Sequence, residues 1–289
     1  MRAAIALCLL TACTNGSDAP ARFLDAHTWQ VEDADFGGFS ALHLSDDGVG
    51  MIAVSDRGTI LHGRLERQGD AITGVQIDEF TALRTDRSAG PPSTRDSEGL
   101  AVAPDGTTYV SFEGITRVLR LSSDGPATRL PDHPAFAELP ANAALEALAI
   151  DGEGRLYTLP EKSGGWQQPF PVWRFDGTDW QKVFDITRTT GFLPVGADFG
   201  PDGAFYVLER GFNGIGFRTR VRRFDMPASG TRSGEVLFSA PVLRHDNLEG
   251  ISVWHDTQGR TRLSMISDDN FRVLQRTEIV EYVIAPPLQ

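Results

Sequence analysis

The chain has 289 residues, which is enough for one or two domains with a buried core. Apolar residues make up 40% of it, and 30 glycines and 17 prolines indicate a globular, turn-rich protein rather than a disordered one. The formal net charge of −12 disfavours a nucleic-acid partner, because a negative surface repels phosphate backbones.

Residues 1–12 predict a signal peptide. Arg2 supplies a positive start, and the apolar run 3–10 that follows is too short to span a membrane. The run ends in Leu-Thr-Ala-Cys, which resembles the lipobox of bacterial lipoproteins. That resemblance implies cleavage before Cys13 and attachment of lipid to this cysteine, with residues 13–21 as a flexible tether. An ordinary secretory signal is the alternative.

The two cysteines are consistent with a lipid-anchored envelope protein. Cys8 lies within the signal and Cys13 would be acylated, so no pair remains for an internal disulfide. Thr14 follows the cysteine, and by lipoprotein sorting patterns this favours the periplasmic side of the outer membrane. We therefore expect a monomer that contacts the membrane only through its lipid.

Five related segments follow one another along the rest of the chain. Each has a small residue, a short apolar strand, a glycine-ended turn, a second apolar strand and then an acid. No long amphipathic helix is predicted. The segments are GGFSALHLSDDGVGMIAVSDRG (37–58), EGLAVAPDGTTYVSFEG (98–114), EALAIDGEGRLYTLPEKS (146–163), VGADFGPDGAFYVLERG (195–211) and EGISVWHDTQGRTRLSMISDDN (249–270).

The spacing of these segments predicts an all-β fold, a β-propeller formed by residues 22–289. Their small residues, Gly38, Gly99, Ala147, Gly196 and Gly250, recur every 48 to 61 residues. Four-stranded units with this period bury their faces by closing radially. We expect five blades, with RFLDAHTWQV near the N-terminus completing the last one; six blades are the rival, with an irregular blade in the longest interval.

Acidic residues recur where the first strand of each unit begins and where the second ends. In a propeller these two places lie on the same face, so the carboxylates should form a ring at one mouth of the central channel. The leading acids are Glu98, Glu146 and Glu249, and the trailing acids are Asp56, Glu113, Glu161, Glu209, Asp268 and Asp269. Asp198 interrupts the repeat. It lies three positions further along its strand than the leading glutamates do along theirs, where its side chain could point into the channel.

Crowded carboxylates need neighbouring bases, a bound cation or protonation. Arg57, Lys162 and Arg210 each follow a trailing acid directly and could supply the bases. An all-oxygen ligand set suits a divalent cation, Ca²⁺ first, and the predicted ligands are Glu98, Glu146, Asp198 and Glu249. The structural alternative is that the glutamates accept backbone N–H groups of the adjacent blade.

Several motifs together resemble the phytase-like family, whose bacterial members are described as having esterase-like activity of phytase. They are VSDRGTI (54–60), DSEGLAVAPDG (96–106), YVSFEG (109–114), LEALAIDGEGRLYTLPE (145–161), GADFGPDGAFYVLER (196–210) and NLEGISVW, ISDDNF and QRTEIVEY (247–282). The resemblance spans nearly the whole chain after the signal. It implies a β-propeller and hydrolysis of ester or phosphoester bonds, and it carries over no catalytic residues.

These observations lead to a hypothesis of a lipid-anchored, cation-assisted hydrolase acting on a small ester or phosphoester. Asp268 would act as the base beside Asp269, and Arg57 or Arg210 would hold an anionic group of the substrate. The alternative is a non-catalytic envelope propeller that binds a protein or glycan, since no recognisable nucleophile–base pair is present.

Overall fold

The computed structural model describes residues 19–85, 94–140, 142–226 and 229–284. Within these ranges the chain forms five small sheets and no α-helix; one 3-10 helix covers Pro134–Glu138. The signal and the lipidation site predicted at Cys13 lie outside the described residues.

The first two sheets each contain four consecutive antiparallel strands. The first comprises β2 (Phe39–Leu44), β3 (Gly50–Ser55), β4 (Thr59–Gln68) and β5 (Ala71–Ala82). The second comprises β6 (Ser97–Val102), β7 (Thr108–Phe112), β8 (Arg117–Arg120) and β9 (Thr128–Arg129). The longest interval in the sequence repeat thus holds the two long strands β4 and β5, and the five-bladed count is confirmed.

The other three sheets follow in chain order around the ring. The third comprises β10 (Ala147–Ile150), β11 (Leu156–Leu159), β12 (Phe170–Phe175) and β13 (Trp180–Ile186). The fourth comprises β14 (Leu193–Phe199), β15 (Phe205–Phe212), β16 (Phe217–Phe224) and β18 (Glu235–Ala240). The fifth comprises β19 (Asn247–His255), β20 (Thr261–Asp268), β21 (Glu278–Ile284) and the N-terminal β1 (Ala21–Thr28).

The N-terminal strand closes the ring, as predicted. It pairs antiparallel with β21, from Ala21 opposite Ile284 to Thr28 opposite Glu278. The third blade differs from the prediction, because β17 (Thr231–Arg232) joins its outer strand β13 in parallel and makes a fifth strand. This short strand belongs to the connection between β16 and β18, so it ties the fourth blade to the edge of the third.

Glycine in the left-handed region forms the turn between the first two strands of every blade. The φ angles are 67° at Gly48, 85° at Gly106, 78° at Gly154, 73° at Gly203 and 72° at Gly259. A residue with a Cβ is strained in this conformation, which explains the recurring glycine of the sequence repeat.

The hydrophobic core is divided into five clusters, and each lies between two neighbouring blades. One cluster, for example, joins Tyr206 and Leu208 of the fourth blade to Leu263 and Met265 of the fifth. The cluster between the fifth and the first blade joins Trp254 and Ile266 of the fifth to strands of the first. A single blade therefore cannot bury its faces alone, and closure of the ring completes the core.

The five inner strands, β2, β6, β10, β14 and β19, approach one another so closely that small residues are required at the centre. A Cβ added to Gly250 would lie 2.6 Å from the backbone nitrogen of Leu42, and one added to Gly99 would lie 2.7 Å from that of Leu148. The strand registers show that the equivalent residue of the first blade is Ala41. The alignment on Gly38 was therefore three residues out of phase.

We predict that Gly250→Ala destabilises the protein by about 1–3 kcal/mol, because its Cβ meets backbone that cannot move aside. Gly152→Ala is the matched control, since an added Cβ there has open space around it. Urea unfolding measured for both variants tests this. Equal stability of the two variants would show that the centre of the ring tolerates a side chain.

Candidate active site at the acidic mouth

A β-bulge turns the leading glutamates towards the channel. In the fifth blade Leu248 pairs with Ser267 and Gly250 with Ile266, so Glu249 is the extra residue. The second blade shifts register between Ser97 and Leu100, around Glu98. A bulge re-aims the side chain that it carries, which is how these strands present an acid to the ring axis.

The three leading glutamates come together, as the repeat predicts. All three are buried, and burial raises the pKa of Glu98 and of Glu146 well above the usual range. The charges of Glu146 and Glu249 raise the pKa of Glu98 further. Carboxylates in this position favour a proton or a cation.

A trio of acids in the second blade has the spacing of a metal-binding site. Asp96, Glu98 and Glu113 each offer one carboxylate oxygen, and these oxygens all lie within 4.8 Å of one another. The carboxyl groups of Asp96 and Glu98 are within hydrogen-bonding reach, and burial raises the pKa of Asp96. The sequence repeat alone did not single out Asp96. The sequence could have indicated it, because Asp96 is an additional acid two residues before the leading acid Glu98.

The fifth blade has an equivalent trio with an amide in place of Asp96. The Asn247 amide nitrogen donates to Glu249 at 2.8 Å and to Asp268 at 3.1 Å. The register of the two blades places Asn247 beside Asp268 and Asp96 beside Glu113. An amide can bridge two carboxylates by donating two hydrogen bonds, whereas an ionised carboxylate has none to donate.

Arg210 occupies the trailing position of the fourth blade, where the other blades carry an acid. It lies 14 residues after the small residue Gly196, as Glu113 and Glu161 do after Gly99 and Ala147. Its guanidinium donates to Glu161 at 3.1 Å, to Asn247 at 2.8 Å and to Glu249. Arg210 therefore neutralises part of the ring from within, and the 14-residue spacing could have identified it.

Glu209 is consequently not a member of the ring. It lies one residue before the trailing position, and a shift of one residue turns a side chain to the other face of a strand. There it is fully buried and accepts from Arg220 at 2.7 Å and from Arg222 at 2.8 Å. The prediction that Glu209 is a trailing acid of the mouth is therefore wrong. Glu209 instead forms ion pairs with two arginines of its own blade.

The doubled acid at the end of β20 divides into two environments. Asp268 is buried in the ring, and burial followed by the charge of Glu249 raises its pKa to about 7. Asp269 instead accepts from the backbone of Gly38 and of Phe271, both at 3.0 Å, and from Thr277 at 3.2 Å. Asp269 therefore holds the loop and Asp268 faces the other acids.

Arg57 lies at the edge of the mouth and not among the acids. Its guanidinium stacks on the Phe271 ring, 3.1 Å from the centroid, and donates to the Ala34 carbonyl at 3.2 Å. The adjacent Asp56 has its pKa raised to about 7, first by burial and then by Asp268 and Asp96.

Asp198 lies apart from the glutamates, about 10 Å further along the inner strand from its own β-bulge. Its carboxylate accepts from the backbone N–H of Phe199 at 2.8 Å and of Val253 at 2.7 Å. Burial raises its pKa to about 7. It lines a cavity of about 420 Å³ with His43 and His255 at the opposite mouth of the channel.

Two buried oxygen atoms of the mouth have no hydrogen-bond partner within the described ranges. They are Ser40 Oγ and one carboxylate oxygen of Asp56. Ser40 replaces a leading glutamate in the first blade and lines the small central cavity with Glu98 and Glu146. A buried oxygen without a donor is costly, so these atoms favour a bound cation or water.

A larger cleft of about 1000 Å³ opens beside the acidic ring on the same face. Loops of the third, fourth and fifth blades form it, and Glu161, Arg210 and Asn247 belong both to the cleft and to the ring. Within the described part of the chain, no helix is long and apolar enough to cross a bilayer.

The family model described as phytase-like, with esterase-like activity of phytase, matches residues 34–271. No curated protein matches the chain.

Solved structures resemble the chain at low identity. Virginiamycin B lyase from Staphylococcus aureus is 11% identical, with a TM-score of 0.43 over 90% of this chain and 99% of that one. A luciferin-regenerating enzyme is 11% identical, with a TM-score of 0.46 over 91% and 96%. A gluconolactonase from Xanthomonas campestris is 14% identical, with a TM-score of 0.45 over 84% and 86%.

We predict that the cation-free protein becomes more stable as pH falls from 8 towards 5, and that Asp56 contributes to this. Its pKa is about 7 in the folded state and 3.8 as an ordinary carboxyl. Between these values the folded state binds more protons than the unfolded state, so lowering the pH stabilises it.

Asp56→Asn should therefore raise the free energy of unfolding at pH 8 by roughly 1 kcal/mol, after allowance for partial exposure, and flatten the pH dependence. Denaturant melts in chelator at pH 5, 6.5 and 8 measure this, with the exposed Asp124→Asn as control. An unchanged slope in Asp56→Asn would contradict the prediction.

Proposed function

The chain belongs to the phytase-like family, and from that premise we propose that it hydrolyses ester or phosphoester bonds at the acidic mouth, assisted by a divalent cation. The observation that carries the proposal is the trio Asp96, Glu98 and Glu113, which has the oxygen spacing of a cation site and, among the described residues, no amide to bridge it. Function does not follow from the propeller itself, so the argument rests on these residues.

The cation would be held by Asp96, Glu98 and Glu113, with Glu146 next to them. Glu113 and Glu146 are within hydrogen-bonding reach of one another, and burial raises the pKa of both. A set made only of oxygen ligands suits Ca²⁺ or Mg²⁺. Glu249 is paired with Arg210 and Asp198 lies elsewhere, so these two earlier candidates are not needed as ligands.

A bound cation would polarise the ester or phosphoryl oxygen. Asp268 would take the proton of the attacking water; it lies in the ring beside Asn247, and its raised pKa of about 7 suits a general base near neutral pH. The water oxygen would bond to the acyl carbon or phosphorus as its proton passes to Asp268, the ester C–O or P–O bond would break, and the leaving alkoxide would take that proton from Asp268. Burial raises the pKa of Glu249 and the charge of Arg210 opposes this rise; Arg210 also donates to Asn247, whose amide donates to Asp268.

We also propose that the protein is anchored at the cell envelope. The lipobox-like sequence ending at Cys13 supports a lipid anchor, and Thr14 supports retention on the periplasmic side of the outer membrane. A small ester or phosphoester within that compartment would be the substrate.

We expect Asp96→Asn to convert the second-blade trio into the arrangement of the fifth blade. The new amide donates to Glu98 and Glu113, so the variant should melt higher than the wild type in chelator. The wild type should gain about 2.7 kcal/mol at a Ca²⁺ concentration of one hundred times Kd, and the variant should gain nothing.

Two further variants sharpen this experiment. Asp124→Asn, on the exposed surface, should respond to Ca²⁺ like the wild type. Asp198→Asn should also keep the full response if the trio is the site, whereas loss of the response there would support the ligand set first predicted from sequence. A calcium response unaltered in Asp96→Asn would exclude the trio.

Hydrolysis is tested with a panel of p-nitrophenyl esters and phosphates, with and without chelator. We expect turnover that chelator abolishes and that Asp268→Asn lowers by about 10²–10⁴-fold. Absence of turnover on every member at every added metal would count against a hydrolase, even if the protein binds calcium.

A further inference from the structure

We propose that the cleft beside the acidic ring binds the organic part of the substrate, and that this part combines an apolar group with an anionic group. The inference rests on the proposed hydrolase, since the cleft would present the scissile bond to the acidic ring. It adds the class of substrate: a small amphiphilic anion rather than a neutral ester.

The cleft has the size and position of a small-molecule site. Its volume of about 1000 Å³ is at the upper end of the range for such sites. Asn247 lies in its wall and donates to both Glu249 and Asp268. A ligand in the cleft would therefore have its reacting bond within reach of the ring without any rearrangement of the blades.

Apolar side chains line the rim of the cleft although they face solvent. Trp166 is 88% exposed, Ile215 78% and Leu274 97%, and Phe212 and Leu243 stand with them on the same rim. Single exposed apolar residues are ordinary, but five around one cleft indicate a surface that binds an apolar group. They come from loops of three blades, so the ring geometry brings them together.

The charge of the cleft is opposite to that of the protein. Four arginines and two acids line it in a chain with a net charge of −12: Arg188, Arg210, Arg272 and Arg276, with Glu161 and Asp246. Arg210 and Arg276 are paired with acids. Within the described ranges Arg188 and Arg272 form no salt bridge; Arg188 donates only to the Gln168 carbonyl and to Ser163.

Two cations that form no salt bridge within the described ranges, beside an apolar rim, are complementary to an amphiphilic anion. Burial lowers the pKa of Arg188, which means that its charge is only partly solvated. A carboxylate or a phosphate would restore that lost solvation through charge-assisted hydrogen bonds. The chemistry is the same for either anion, and competition experiments distinguish them.

Binding of two fluorescent probes tests the cleft without relying on turnover. The probes are 8-anilinonaphthalene-1-sulfonate and its uncharged analogue N-phenyl-1-naphthylamine, which share the apolar part and differ in the anion. We expect the wild type to bind the sulfonate roughly tenfold more tightly, as one charge-assisted hydrogen bond would give. Acetate and inorganic phosphate, as competitors, identify the preferred anionic group.

The variants separate the two halves of the proposal. Arg188→Gln and Arg272→Gln should remove the preference for the sulfonate and leave the neutral probe unchanged, whereas Trp166→Ala should weaken both probes. Arg64→Gln is the matched control, because Arg64 is an exposed arginine on the outer strands of the first blade, paired with Asp78. Equal binding of both probes by the wild type, or no effect of the arginine variants, would overturn the proposal.

A lipid surface is the competing occupant of the apolar rim. Co-sedimentation with phosphatidylcholine vesicles that is lost in Trp166→Ala would show that the rim docks on lipid and would also overturn the proposal. If the probes behave as expected but no ester is hydrolysed, the cleft stands as an amphiphile-binding site and only the hydrolase is rejected.

Discussion

The close approach of the five inner strands determines both the fold and its candidate site. At Gly99 and Gly250 there is no room for a Cβ against the backbone of the neighbouring blade, so the strands pack backbone to backbone around the axis. The same close approach brings together the leading residues, which directly precede the small residues of the inner strands, so that their charges interact. Whatever side chains stand there must satisfy each other, because burial removes the water that would otherwise separate their charges.

The protein treats its buried carboxylates in two different ways. Glu209 and Glu281 lie within blades and are each held by two arginines, as expected of charges that serve the fold. On the fifth-blade side of the mouth, Arg210 and the Asn247 amide satisfy their neighbours in a comparable manner. The Asp96 trio differs because, among the described residues, it has no bridging amide like Asn247, and burial and like charge raise the pKa of Glu98 well above its usual range. Repulsion between buried carboxylates of this kind is more typical of a binding site than of a scaffold.

Much of the fold could be predicted from the sequence, because a repeat with glycine turns and a constant period has few ways to bury its faces. Closure by the N-terminal strand could be predicted because the residues before the first repeat are needed to complete the last blade. The first blade was misaligned by three residues, onto Gly38 instead of Ala41, because Ser40 stands where three other blades carry a leading glutamate. A shift of one residue exchanged the positions of Glu209 and Arg210. The backbone partner of Asp198, Val253, belongs to another blade and leaves no pattern in the chain.

The candidate chemistry lies where the blades depart from their repeat. The first, second, third and fifth blades carry an acid at the trailing position, whereas the fourth blade carries Arg210. The ring therefore has a basic side and an acidic side. The residue after the trailing acid is Arg57 in the first blade and Lys162 in the third, but Gly114 in the second. The second blade thus combines an extra acid, Asp96, with no base at this position. A symmetric ring would distribute its acids and bases evenly, whereas in this ring the extra acid lies in the second blade and the arginines lie in the cleft beside the ring.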